Sequence, residues 1–235
     1  MATQEALAGG RFPDTRWSLV LAGDRQLALE HLAAAYWRPV YGYVRARWAR
    51  SEAEALDATQ DFFLHLLEGE LLSRADPGRG RFRAYVRAAL GNFLTDEHRR
   101  NGAQSRGGGR RPLPIDCGGP DTLPDTRGQS PDAALDRLWR AELLARAAGE
   151  LERELKAEGK DTWWLLFRDH FLSDDGFSHA QLAERHRITL VDVSNWLTRG
   201  RARYRDTLIK LVRDTVETKE ALAAELDWLL QEKAP

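Results

Sequence analysis

Apolar residues recur every three or four positions along most of this chain, which is the spacing that one face of an α-helix presents. The clearest such stripe consists of Trp37, Val40, Tyr41, Val44 and Trp48. A serine followed three residues later by glutamate or glutamine, as at Ser51 and Ser178, marks a helix start. No strand pattern or internal repeat stands out. The pattern therefore predicts an all-α fold.

One segment interrupts the helical pattern. Residues 101–130 contain 7 Gly and 4 Pro and keep no apolar period, which is typical of a linker. Ser130 followed by Pro131 then starts a new helix. We therefore predict a first helical domain over residues 1–100, a linker over 101–130, a second domain over 131–215 and a helical extension over 216–235.

The segment GRGRFRAYVRAALGNFLTDEHRR, residues 78–100, predicts a helix that is both basic and aromatic. Its apolar face consists of Phe82, Tyr85, Val86, Ala89, Leu90 and Phe93. Its polar borders consist of Arg83 and Arg87 on one side, and of Asn92, Asp96 and Arg99 on the other. The outward centre holds only small residues, which are Ala84, Ala88, Gly91 and Thr95. Small residues between polar borders favour the close approach of a phosphodiester strand. The plainer alternative is a solvated face with arginines extending over the core.

Residues 177–205 have the spacing of a helix-turn-helix, with small or apolar residues at Leu182, Ala183, Ile188, Val193 and Leu197. A plain helical hairpin is the alternative. Arg187 stands where glycine usually makes the turn, and Thr189 is placed to cap the second helix.

The outward residues of that second helix suit base recognition. They are Val191, Asn195, Thr198, Arg199 and Ala202, with Ser194 close by. Asparagine can pair with adenine and arginine with guanine, while valine can meet a thymine methyl group. Arg201, Arg203 and Arg205, further along, are placed to reach phosphates.

Charge is segregated along the 235 residues, although the formal net charge is only −1. Residues 51–76 carry seven acids and one arginine, whereas residues 79–111 carry nine arginines and two acids. Residues 185–213 carry eight basic residues and two acids. Two separated basic blocks favour a polyanionic ligand, and the acidic block favours a different partner.

The remaining composition argues against several classes of protein. A single cysteine, Cys117, excludes a disulfide framework, and the histidines are scattered. No apolar run approaches the roughly 20 residues of a membrane span. We expect a cytoplasmic protein that is not an enzyme, with no catalytic residues, no metal site and no cofactor.

Taken together, these segments resemble a sigma factor of RNA polymerase, of the two-domain extracytoplasmic-function type. The resemblance runs from about Leu29 to Leu208. LAAAYWRPVYGYVRARW resembles the start of the family's first conserved domain, and LDATQDFFLHLL, residues 56–67, resembles the helix that docks on the polymerase. FRAYVRAALGNFLTDEHRR resembles the segment that melts and reads the −10 element, and the helix-turn-helix corresponds to the −35 reader.

The residues and the resemblance together assign three candidate sites. The polymerase-binding residues are Asp57, Gln60 and Asp61. The residues for the −10 region are Arg83, Arg87, Asn92, Asp96, Arg99 and Arg100. The residues for the −35 region are Val191, Ser194, Asn195, Thr198, Arg199, Arg201 and Arg203. The implied partners are core RNA polymerase and promoter DNA, both as duplex and as melted strand.

Several points stay open at this stage. RFPDTRWSLVL and ADPGRGRF resemble a subgroup often associated with Ser/Thr kinases, so a kinase or an anti-sigma factor is a candidate regulator. The extension after residue 215 either caps the second domain or binds a regulator. The alternative functions are a stand-alone helix-turn-helix regulator of transcription and a helical adaptor whose partners are only proteins.

Overall fold

The computed structural model describes residues 25–47, 51–68, 82–103, 130–173, 176–216 and 218–231. Trp48, Cys117, most of the predicted linker and the side chain of Phe82 lie outside the described residues. The elements are helices α1 (Arg25–Arg47), α2 (Glu52–Glu68), α3 (Phe82–Ala103), α4 (Pro131–Ala157), α5 (Asp161–Phe171), α6 (His179–His186), α7 (Leu190–Arg213) and α8 (Lys219–Gln231). The all-α prediction is confirmed. Among these helices, none combines the length and the apolar character needed to cross a membrane.

Serine side chains start three of the helices, as the sequence predicts. The backbone N–H of Glu54 donates to Ser51 Oγ at 3.2 Å, which caps α2. Ser130 accepts in the same way from Ala133 at 3.2 Å, directly before α4. Ser178 forms a complete capping box with Gln181 at the start of α6. Each bond satisfies a backbone donor that the first helical turn leaves without an intrahelical partner.

The chain divides into two compact units, whose limits fall inside helices and not at their ends. The first unit takes in α1, α2, α3, the part of α4 up to Glu142, and the chain from Val212 onward with α8. The second unit is Leu143–Leu211. The physical reason lies in α4, which is one continuous helix whose first turns pack into the first unit. Trp139 of α4, for example, contacts Trp228 of α8 with ring centroids 5.9 Å apart.

Aromatic residues from three helices form the core of the first unit. Trp37 of α1 stacks on Phe63 of α2 at 5.5 Å between ring centroids. Phe62 meets Phe93 of α3 edge-on at 5.6 Å. These packed faces hold α3 in place along its apolar stripe, where the buried residues include Val86, Ala89, Leu90 and Phe93.

The second unit contains two small clusters of buried side chains. One joins α4 to α5 and consists of Ala148, Leu151, Leu155, Trp164 and Phe167. The other joins α5, α6 and α7 and consists of Leu166, Leu182, Val193 and Leu197, with Ala183 and Ile188 packed against it. The residues predicted to fill the space between the two helices of the 177–205 segment do so.

The turn between α6 and α7 depends on one arginine in a left-handed conformation. Arg187 has φ 52° and ψ 47°, and its backbone N–H donates to the carbonyl of Glu184 at 3.3 Å. Thr189 Oγ1 then accepts from the backbone N–H of Asp192 at 3.1 Å and starts α7. The left-handed region is costly for residues with a side chain, and glycine avoids that cost.

We predict that Arg187→Gly leaves the free energy of unfolding unchanged or raises it by up to about 1 kcal/mol. Relief of the left-handed strain opposes the larger chain entropy of glycine in the unfolded state. Arg187→Val should instead lower stability by about 1–2 kcal/mol, since a β-branched residue fits this region poorly. Urea unfolding followed by circular dichroism measures both.

Glu184 provides the matched control, because it is exposed and lies inside α6. Glu184→Gly should cost about 1 kcal/mol, the usual penalty of glycine in a helix interior. If Arg187→Gly costs as much as Glu184→Gly, the left-handed turn does not limit stability.

Candidate nucleic-acid and polymerase interfaces

The outward centre of α3 is lined by small residues, as predicted. Ala84 and Ala88 are exposed, and Gly91 and Thr95 are half-buried. A Cβ added at Gly91 would lie 3.7 Å from Tyr43 Oη, an ordinary contact distance. Thr95 Oγ1 donates to the carbonyl of Gly91 at 2.8 Å, so its polar atom is turned back onto the helix. The small exposed residues Ala84 and Ala88 therefore leave a low surface on the first turns of α3, whereas Tyr43 of α1 lies beside Gly91.

One polar border of α3 is open to solvent. Asn92, Asp96, Arg99 and Arg100 are all exposed over the last three turns. Arg99 Nη1 lies 3.8 Å from Asp96 Oδ1, which is a loose surface ion pair. Such pairs contribute little and exchange readily. These four predicted residues therefore share one accessible stretch of helix.

The other border of α3 is not open, and the predicted exposed position of Arg83 is wrong. Arg83 is only 7% exposed. Its Nε lies 3.2 Å from Asp136 Oδ1 of α4, and its Nη2 lies 3.3 Å from Glu225 Oε1 of α8. The guanidinium carbon also lies 4.5 Å from the ring centroid of Trp139 and 4.0 Å from that of Trp228. We name these five residues the Arg83 cluster.

Arg87, one turn further along the same border, is paired more loosely. Its Nη1 lies 3.9 Å from Asp132 Oδ2 of α4, and both side chains keep substantial exposure. Arg83 and Arg87 are four residues apart, and so are Asp136 and Asp132. Two basic positions of α3 thus face two acidic positions of α4 with the same helical spacing.

The acidic helix α2 presents its carboxylates on the side away from the core. Asp57 is exposed, while Gln60 and Asp61 are half-buried. Thr59, between them, is fully buried and donates to the carbonyl of Ala55 at 2.7 Å. The predicted polymerase-binding residues therefore lie together on one side of α2.

Glu54 belongs to the same acidic face of α2 as Asp57 and Asp61. From the sequence, Glu54 is predicted only to take part in the cap with Ser51. It is exposed and precedes Asp57 and Asp61 by three and seven residues, so all three lie on one helical face. The three- and seven-residue spacing of these acidic residues in the sequence could have predicted that Glu54 lies on this face.

The second helix of the α6–α7 pair exposes most of the residues assigned to the −35 region. Val191 is 68% exposed. Ser194, Asn195, Thr198, Arg199 and Arg201 are exposed on α7 as well. Leu190, at 57% exposure, adds to the apolar surface beside Val191 and was not predicted. The position of Leu190 near the buried residues Val193 and Leu197 only weakly indicates, from the sequence, that its side chain is exposed.

Arg203, also assigned to the −35 region, is turned away from that surface and toward α4. Its Nη2 lies 3.0 Å from Glu154 Oε2 and 2.6 Å from Glu158 Oε1, both on α4. Hydrogen bonds from Arg203 and Lys160 lower the pKa of the Glu158 carboxyl to about 2. The same bond to Glu158 raises the pKa of the Arg203 guanidinium.

The neighbouring Tyr204 explains this orientation. Its hydroxyl donates to the carbonyl of Leu144 at 3.1 Å, and burial raises the pKa of Tyr204 to about 12. Tyr204 also packs on Phe167 with ring centroids 5.3 Å apart. This side of α7 therefore belongs to the core of the second unit, and Arg203 lies at its edge.

The part of the chain that the structure describes contains no group of three or more His, Cys, Asp or Glu residues able to hold a metal ion. The arrangement consists instead of an acidic face on α2, an exposed polar border on α3 and an exposed polar and apolar face on α7.

Residues 32–104 match the family model of sigma-70 region 2. This match covers α2 and α3 completely, so that part of the first unit is similar to sigma-70 region 2. No curated protein and no solved structure matched the chain.

Proposed function

We propose that this protein is a sigma factor of the two-domain extracytoplasmic-function type, which binds core RNA polymerase and directs it to promoters. The observation that carries the proposal is the region 2 match over residues 32–104. A sigma factor acts on the polymerase and on DNA, so we place the protein in the cytoplasm. A kinase or an anti-sigma factor as its regulator remains a prediction from the resemblance.

The two faces of the first unit suit two different partners. Asp57 and Asp61 on α2 present negative charge to a basic protein surface, and Arg99 and Arg100 on α3 present positive charge to DNA. Complementary potentials of this kind fix orientation and speed association. The small residues beside Asn92 leave room for an unstacked strand along α3.

We assign −35 recognition to the exposed face of α7. Arg199 is suited to a bidentate contact with guanine, and Asn195 to one with adenine. Val191 adds an apolar surface for a thymine methyl group. Arg201 serves as a phosphate contact, whereas Arg203 is left out of the interface because Glu154 and Glu158 hold it.

We predict that Asp57→Lys combined with Asp61→Lys weakens association with core RNA polymerase by about tenfold or more, because like charges would then meet at the interface. Both side chains have solvent exposure, so the fold should survive. Co-purification with core polymerase measures association, promoter-directed transcription measures function, and circular dichroism checks folding.

The control carries the same change of charge at two exposed positions of α8, Glu220→Lys with Asp227→Lys. It should leave polymerase binding intact. A wild-type protein that never associates with core polymerase would refute the sigma-factor proposal. Tight duplex binding without polymerase would then favour a stand-alone regulator, and absence of salt-dependent nucleic-acid binding would favour a protein adaptor.

We predict that Arg199→Ala weakens binding to duplex DNA by about 1–3 kcal/mol and relaxes base preference at one position. The probe is a duplex selected from a random pool by the wild-type protein with core polymerase. Arg203→Ala is the matched comparison, since it removes the same charge from the same helix. It should lower thermal stability and leave base preference unchanged. Equal losses of affinity from both substitutions would contradict the assignment.

A further inference from the structure

The Arg83 cluster places a residue of the proposed DNA-binding helix under the protein's own side chains. Arg83 lies on the first turn of α3, against the adjoining Trp139 and Trp228 rings. Its carboxylate partners, Asp136 and Glu225, come from α4 and α8. In this arrangement no phosphate can reach the guanidinium.

Only one face of α8 packs against the rest of the first unit. Glu225 is 1% exposed and Leu229 is buried, while Glu220 and Asp227 on the opposite side are exposed. A buried carboxylate needs a close positive partner, because burial without one is costly. Glu225 finds Arg83 as such a partner, so α8 is placed by the same arginine that the DNA site would use.

The acidic partners also repeat along α4. Asp136 and Asp132 face Arg83 and Arg87 at matching four-residue spacing, at 3.2 Å and 3.9 Å. These carboxylates lie against the same guanidinium groups that phosphate oxygens would have to contact on this border. An arginine cannot direct the same donors to a carboxylate and a phosphate at once, so the two compete.

We propose that α8 and the first turns of α4 form an intramolecular lid that covers the Arg83 border of α3, and that Arg83 engages a single DNA strand only after the lid has moved. The proposal rests on the proposed sigma-factor function, because that function identifies the strand as promoter DNA. The other border, with Arg99 and Arg100, is exposed whether the lid is closed or open.

The test uses the full chain and a fluorescent thymidine homopolymer, with no polymerase present. The variant Asp136→Asn with Glu225→Gln removes both carboxylate partners of Arg83. Adding one single-strand phosphate contact steepens the dependence of log K on log salt by about 0.7, which corresponds to about a fivefold higher affinity at 0.1 M salt. We expect that gain, and we expect Arg83→Gln added to the same variant to abolish it.

The control is Glu220→Gln with Asp227→Asn, which changes the net charge equally at exposed positions of α8. It should give neither the gain in affinity nor the steeper slope. An equal gain in the control, or a gain that persists without Arg83, would overturn the lid.

A second measurement needs no substitution and stays informative if the double variant fails to fold. Hydrogen exchange of wild-type α8 amides is followed with and without saturating homopolymer. The lid requires faster exchange of α8 when DNA is bound, and unchanged exchange at saturation would overturn it. Failure of the wild-type protein to bind core polymerase would reject the sigma-factor proposal separately, because neither lid measurement includes polymerase.

Discussion

A guanidinium that is taken out of water must keep counter-charges beside it, and Arg83 meets this requirement with groups from two other helices. Asp136 and Glu225 supply the charge, and two indole rings supply the faces. The first unit therefore includes α8 and the start of α4, although both lie far from α3 in the sequence. Arg83 Nη1 nevertheless has no hydrogen-bond partner among the described residues. Leaving such a donor buried costs about 1–3 kcal/mol, so the closed arrangement is not fully satisfied.

Ion pairing with carboxylates also reduces the number of arginines in the basic blocks that are available to a polyanion. Counted along the sequence, every arginine between residues 79 and 111 adds equally to a positive patch. In the structure, Arg83 and Arg203 are engaged by carboxylates, while Arg99 and Arg199 are exposed. The positive surface available to a polyanion is thus smaller, and confined to fewer positions, than the number of basic residues in the sequence indicates. It lies on the later turns of α3 and on the outer face of α7.

The features that could be predicted from the sequence are those formed by residues that are near each other along the chain. Capping by Ser51 and Ser178, the buried stripe of α3 and the core between the adjacent helices α6 and α7 depend mainly on residues that are near each other in the sequence, so spacing alone finds them. The pairing of Arg203 could not be found in this way, because its carboxylates lie 45 and 49 residues earlier. Arg83 was misplaced for the same reason. The limit between the two units could not be found from the sequence either, because it lies inside the single helix α4, where no break in composition marks it.

The two borders of α3 give the proposed lid a route to opening. Arg99 and Arg100 are exposed in the closed arrangement, so a strand can bind there first by charge alone. Once held, its next phosphates are at a high effective concentration near Arg83, which favours their competition with Asp136 and Glu225. A ligand shifts such an equilibrium only by its difference in affinity for the two states. Exchanging one set of anions for another keeps the electrostatic cost of opening small, and separation of the Trp228 ring from Arg83 is then the main cost. A strand held at Arg99 and Arg100 can therefore open the lid itself, provided that its contacts with Arg83 outweigh those of Asp136, Glu225 and the Trp228 ring.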